Sequence, residues 1–243
     1  MILAADASAQ AESSHPHVWQ RWEHALTSDR QYKNPYADVT VQVRYTGPDG
    51  RSLLGYGFWD GGQVFRIRCS FPAPGVWQWA TESSDVSDAG LHGQRGTVEV
   101  VPYPGENPLY QRGFLKVSQD RRYLTYGDET PFLWMGDTAW AAPMRSSDDE
   151  WNTYLADRRT KHFTLLQVAP APHWAGKTDR QGQPPFHDKA CLQFNPDFWQ
   201  AFERKIQRAN EAGFAVLLVG LMEPVDRYPE PAAACLFARN IVA

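Results

Sequence analysis

The feature that most constrains this chain is a change of apolar pattern across Pro102-Tyr103-Pro104-Gly105-Glu106-Asn107-Pro108. Before this stretch, apolar and polar residues alternate in short segments. After it, apolar residues come in unbroken runs separated by segments of helical character. Alternation with period two is what a half-buried antiparallel strand requires, whereas an unbroken run between helices suits a strand covered on both faces. A Pro/Gly/Asn-rich stretch between the two patterns reads as a linker, so 243 residues divide into two units.

In the first unit, Val39–Tyr45 is followed by the turn residues Thr46-Gly47-Pro48-Asp49-Gly50. The segments 64–69, 75–81 and 96–101 repeat this theme. Strands at such spacing predict a small antiparallel β-sandwich of immunoglobulin-like type over residues 15–102. Trp59-Asp60-Gly61-Gly62 reads as a hairpin turn, and Trp77 and Trp79 share one face, as core or as a flat aromatic surface.

Beyond the linker, placed at 103–112, the segments 113–117 and 122–126 predict a short hairpin acting as a lid. Pro131–Gly136 reads as an apolar strand and Ser147-Asp148-Asp149-Glu150 as the acidic start of a helix over Asp149–His162. A buried strand at 164–169 follows. Asn195-Pro196-Asp197 starts a helix to about Ala212, and Gly213 stops it before a strand at 214–220. A third helix begins at Pro231. Alternation of this kind means a parallel α/β sheet.

The formal charge is −4 and the basic residues are scattered singly, which excludes nucleic acid and anionic membrane surfaces as partners. No run approaches the roughly 18 apolar residues of a spanning helix. Within residues 1–14, Ala7-Ser8-Ala9 and Ala9-Gln10-Ala11 have the small-x-small form of an export cleavage site, so this segment reads as a leader remnant or a disordered Ala-rich terminus. The three cysteines are far apart, and His162, His173, His187 and Asp188 have no zinc-ligand spacing. There is no nucleophile elbow, phosphate-binding glycine loop or dinucleotide fingerprint, so neither metal nor cofactor is expected.

The segments Gly113-Phe114-Leu115-Lys116-Val117-Ser118, Tyr123-Leu124-Thr125-Tyr126 and Pro131–Trp140, above all Gly136-Asp137-Thr138-Ala139-Trp140, resemble the opening of the apiosidase-like catalytic domain. That family is a (β/α)8-barrel glycoside hydrolase. Trp22-Glu23, Asn34-Pro35-Tyr36, Gly57–Gly62, Arg66-x-Arg68 and Gly75-x-Trp77 resemble the β-sandwich module that commonly precedes such barrels. The resemblance implies a secreted or periplasmic enzyme acting on oligo- or polysaccharide.

A whole barrel takes roughly 250 residues, whereas 113–243 holds about three βα units. The expectation is therefore an N-terminal fragment of a glycoside hydrolase, inactive alone because the main catalytic carboxylates follow later strands, with open sheet edges prone to self-association. The other reading is a carbohydrate-binding or structural module without catalysis.

In a barrel the active site lies at the C-terminal ends of the strands. The residues expected there are Asp137, Thr138 and Trp140 after strand one, Gln167, His173 and Trp174 after strand two, and Glu223 and Asp226 after strand three. Carboxylates and amides bind sugar hydroxyls and indoles pack against sugar rings. Asp137 and Glu223 are the catalytic candidates within the chain, with Asp137 alternatively capping a local turn.

Overall fold

In the computed structural model, residues 15–170, 178–220 and 231–243 are described. The first unit contains β1 (Arg21–Thr27), α1 (Pro35–Asp38), β2 (Val41–Thr46), β3 (Ser52–Gly61), β4 (Val64–Ser70), β5 (Gly75–Ser83) and β6 (Arg95–Val100). The six strands form one antiparallel sheet in the order β1-β4-β3-β2-β5-β6. This differs from the two separate sheets of an immunoglobulin-like sandwich. Strand β3 is long enough to pair with β2 over Ser52–Gly57 and then with β4 over Phe58–Gly61.

Gly57 sits at this handover. A Cβ there would meet the Arg66 carbonyl at 3.0 Å and the Val41 Cβ at 3.2 Å, so a side chain would push the two partner strands apart. The sheet curls far enough that the flanks of its two edge strands meet. Val18 N–H donates to the Val101 carbonyl, and Val101 N–H to the Pro16 carbonyl, both at 3.0 Å.

Alternate residues of the strands fill the curl: Val41, Val43 and Tyr45, Phe65 and Ile67, Trp77 and Trp79, Val98 and Val100. Trp77 is fully buried and Trp79 nearly so, which makes this pair core rather than an exposed aromatic surface. Burying such a side chain is worth several kcal/mol, since Trp→Ala in a core costs about 3–5 kcal/mol. Strand β3 runs on through Trp59, Asp60 and Gly61, so the turn expected at Trp59–Gly62 falls later, at Gly62 and Gln63; Gly61 and Gly62 both have positive φ there.

The linker is not a free tether. It contains α2 (Pro108–Arg112), capped by the Asn107 side chain, whose amide also donates to the Asn210 carbonyl at 2.8 Å. The expected hairpin is β7 (Lys116–Val117) with β8 (Leu124–Thr125). Tyr126 and Phe132 beyond it pack against Leu165 and Ala215, the first residues of their strands. The hairpin region thus closes the N-terminal end of the parallel sheet, the opposite end from a lid over an active site.

That sheet has three parallel strands, β9 (Gly136–Trp140), β10 (Leu165–Val168) and β11 (Ala215–Leu218), with β10 in the centre. The helices are α3 (Ala142–Arg145), α4 (Asp148–Thr160), α5 (Pro196–Glu211) and α6 (Pro231–Ile241). Strand β9 corrects the sequence reading, which placed it at Pro131–Gly136. Leu133, Trp134 and Met135 are exposed and precede the ladder, so Asp137, Thr138 and Trp140 lie in the strand rather than after it.

Helix α4 begins as its sequence demands: the Ser147 hydroxyl accepts from Glu150 N–H and the Glu150 carboxylate accepts from Ser147 N–H. Helix α5 buries Phe198, Trp199, Phe202 and Ala209 against Trp151, Leu166 and Phe214. Its buried Lys205 reaches the Ser146 and Ser147 carbonyls and pairs with Asp148 at 2.9 Å.

Candidate active site

The pleat of a parallel sheet sends successive side chains to opposite faces. Leu166, Val168, Val216 and Leu218 face the helices and join their core. Ala139 of β9 joins the same core, so its strand neighbour two residues back, Asp137, is on the helix side too. The other face carries Thr138, Gln167 and Leu217. These three are in register, Gln167 pairing with Thr138 on one side and with Leu217 on the other. Thr138 and Leu217 are exposed and Gln167 half-buried. A β-bulge between Gln167 and Val168 brings Trp140 opposite Val168, and Trp140 has φ of 23°, a strained value for a bulky residue.

The Asp137 carboxylate is taken up by α4. Tyr154 Oη donates to its Oδ2 at 2.8 Å, and Arg158 Nε lies 2.6 Å from the same oxygen as an ion pair. The Arg158 guanidinium is over the Tyr154 and Phe163 rings, at 5.1 and 5.3 Å. Burial, and then Asp137, raise the Tyr154 pKa, so the phenol stays protonated and donates to the carboxylate throughout the physiological range. Sequence reasoning missed Tyr154 and Arg158 as the partners of Asp137. An i, i+4 pair of Tyr and Arg facing a strand Asp is the signal that could have found the cluster.

His173, Trp174, Glu223 and Asp226 lie outside the described residues, as does the whole of residues 1–14. The later part of the β10–α5 connection is well formed. Phe186 and Phe194 pair as a small bridge, and Asp188 Oδ1 accepts from Leu192 and Gln193 N–H at 3.0 and 2.9 Å. Asp179 Oδ1 likewise accepts from Gln181 and Gln183 N–H. Among the described residues, no three His, Cys, Asp or Glu side chains come together as a metal site, and no helix is long and apolar enough to cross a membrane.

A separate cleft of about 1000 Å³ lies between the β domain, α5 and the end of α6. Its charged groups already have partners. Arg68 grips Glu203 of α5 through two nitrogens, at 2.6 and 2.5 Å, and also bonds Glu23. Gln200 donates to the Asp60 carbonyl and carboxylate. The cleft is on the helix side of the parallel sheet, away from Thr138 and Gln167.

An antiparallel β domain packed on helices that flank an ordered parallel sheet is a glycoside hydrolase-like fold. A Bacteroides vulgatus protein described by its inferred glycoside hydrolase activity superposes on 85% of the chain with a TM-score of 0.68 at 22% sequence identity. The chain spans 41% of that protein's length. A family 5 glycoside hydrolase, also from Bacteroides vulgatus, is 26% identical over 47% of this chain and 26% of its own, with a TM-score of 0.41, too loose an overlap to define a fold. No curated protein matches the chain.

The family assignment is more specific. Residues 118–234 match the family described as "Apiosidase-like, catalytic domain", and residues 15–84 match a domain of unknown function, DUF5060. Over residues 118–234, just under half of its length, the chain is similar to the apiosidase-like catalytic domain.

Proposed function

We propose that this chain supplies the opening strands and part of the substrate site of a secreted or periplasmic glycoside hydrolase that acts on complex, plant-type polysaccharide. The observation that supports this reading is the in-register row Thr138–Gln167–Leu217 on the helix-free face of three parallel strands, within the segment that matches the apiosidase-like family. On this reading β9–α4, β10–α5 and β11–α6 are the first three units of a (β/α)8 barrel. Residues 15–102 are its accessory β domain, 103–112 the linker and 113–243 an incomplete catalytic domain. Export is proposed from the small-x-small pattern near the N-terminus.

The site residues divide by chemistry. The Thr138 hydroxyl and the Gln167 amide offer donors and acceptors to sugar hydroxyls, and Trp140, with His173 and Trp174, offers ring faces for packing. Hydrolysis by two carboxylates requires them about 5–5.5 Å apart for retention or about 6.5–9.5 Å for inversion. Asp137 is engaged by Tyr154 and Arg158 on the opposite face of the sheet, so its proposed role is to fix β9 against α4. The catalytic pair is then supplied by other residues, and the 243-residue chain by itself does not turn over substrate.

The test is incubation of the purified chain, and of its Asp137→Ala and Glu223→Ala variants, with oligosaccharides prepared from plant cell-wall polysaccharides. No release of sugar by soluble, folded protein is the expected result. Turnover abolished by Glu223→Ala would contradict the proposal and place a working carboxylate within these three strands.

A further inference from the structure

The Asn34-Pro35-Tyr36 segment belongs to the β domain, yet Tyr36 is buried in the core of the other unit. It is 2% exposed and clusters with Phe186, Phe198 and Trp199. Its ring is parallel to that of Phe194, with centroids 4.8 Å apart and planes 13° apart. Phe194 is in turn parallel to Trp199, at 5.4 Å and 7°. Phe186 meets Tyr36 edge-on at 6.2 Å. Two residues earlier, Asn34 Nδ2 donates to the Leu192 carbonyl at 2.8 Å. Phe186, Leu192 and Phe194 all belong to the connection between β10 and α5, which by topology leaves the C-terminal end of the central strand. In a barrel, connections of that kind build the active-site wall.

The other side of this connection is held by its own unit. Arg180 N–H donates to the Met144 carbonyl, Asn195 Nδ2 donates to the Pro184 carbonyl and Trp199 Nε1 to the Pro185 carbonyl. Residues 186–194 thus lie between α5 and the β domain. Their hairpin contributes two backbone-paired residues, Phe186 and Phe194, whose rings point into the cluster that Tyr36 completes. The cost of ordering a hairpin this short is considerable, because an isolated one is marginal in water.

We propose that the β domain acts as a positioning element for the active site: Tyr36 and Asn34 fix residues 186–194 of the β10–α5 connection, and so this part of the active-site wall, in its working place. This deepens the glycoside hydrolase reading and rests on it for the identity of the wall. The grip itself does not depend on that reading. It also gives the β domain a role that needs no glycan site of its own.

The experiment is hydrogen–deuterium exchange by mass spectrometry on the full chain and on its Tyr36→Ala, Tyr36→Phe and Asn34→Ala variants. Expected is at least tenfold faster exchange of peptides covering 178–195 in Tyr36→Ala, a smaller acceleration in Asn34→Ala, and wild-type exchange in Tyr36→Phe, which keeps the ring stack. Peptides from β2, β5 and β10 should be unchanged. Wild-type exchange of 178–195 in Tyr36→Ala would overturn the proposal, as would an equal acceleration throughout the chain, which would mean general destabilisation. A parallel titration with plant cell-wall oligosaccharides separates the two levels. Loss of binding in Tyr36→Ala with retention in Tyr36→Phe supports positioning of a sugar site. If the wild-type chain binds no sugar, the glycoside hydrolase reading of this site fails, the wall loses its identity, and the positioning claim falls with it even if the exchange result stands.

Discussion

Asp137 meets Tyr154 and Arg158 because β9 sends it to the side where α4 lies, and α4 places those two residues four apart on one face. Removing the carboxylate leaves a half-buried phenol and guanidinium without their shared acceptor. Asp137→Leu is expected to cost about 1–3 kcal/mol, and Asp137→Asn less because an amide oxygen still accepts from Tyr154. Urea denaturation of the two variants measures this; equal stability of Asp137→Leu and the wild type would show that the contact contributes nothing. The sequence made the residue type legible but not its direction. Within the Gly136–Trp140 strand a shift of one position exchanges the helix face for the helix-free face, and the apolar run before Gly136 drew the predicted strand five residues too early. That run reported hydrophobicity which the described residues do not bury, since Leu133, Trp134 and Met135 are exposed.

Asp88 and Asp148 are the residues that set the acid response. Asp88 is fully buried in the β domain; burial would raise its pKa, but hydrogen bonds from Ser28, Asp29 N–H, Tyr32 and Gly90 N–H outweigh it and the net direction is down. Asp148 is drawn down to about 2, from 3.8, by Arg208 and Lys205. A carboxylate with a lowered folded pKa contributes stability that is present above its unfolded pKa and lost as pH falls through the folded one. Thermal stability should therefore decline between about pH 4 and pH 2. For Asp148, which is largely exposed, solvent screening limits the contribution to under about 1 kcal/mol. Asp148→Asn should remove that share of the decline and Asp88→Asn a larger one, so melting temperatures that fall equally in both variants and the wild type would count against these assignments.

Helices α4 and α5 were legible because their signals are local. Ser147 and Glu150 form the capping box that the sequence spells, and Gly213, with φ of 92°, ends α5 where expected. Strand β1 was not legible: Arg21, Glu23 and His24 interrupt alternation in an edge strand, and its partners in β4 lie more than 35 residues away. Helix α5 has a second side that sequence could not assign, since Gln200, Glu203 and Gln207 recur at helical spacing but look like an ordinary solvated face. They instead meet Asp60, Arg68 and Arg21 of the β domain. A double-mutant cycle of Arg68→Met and Glu203→Gln should give a coupling of about 1–3 kcal/mol, because both partners are shielded and the contact uses two nitrogens. Additive single effects would mean that the two units are not held through this pair.

On the scale of the whole molecule, the two edge strands β9 and β11 each have one neighbour among the described residues, and Leu217 is exposed on the face beside Thr138 and Gln167. Unpaired parallel edges beside exposed apolar side chains favour association. Sedimentation velocity of the 243-residue chain over a hundredfold range of concentration should show growth of oligomers, and Leu217→Lys should reduce it; a monomer at every concentration would remove this expectation. The passage from an antiparallel sheet to a parallel α/β sheet was legible from the change of pattern at 102–108. The closeness of their union was not, because it rests on Tyr36, Asn34 and α5 meeting across more than 150 residues of chain.

The proposed function requires that the face carrying Thr138 and Gln167 bind sugar. The most direct measurement is calorimetric titration of plant cell-wall oligosaccharides into the chain and its Gln167→Ala variant, with circular dichroism to establish equal folding. Binding by the wild type that weakens about tenfold in Gln167→Ala, the equivalent of about 1.4 kcal/mol, is the predicted result. Equal affinity of the two proteins would contradict it and move the sugar site away from these strands.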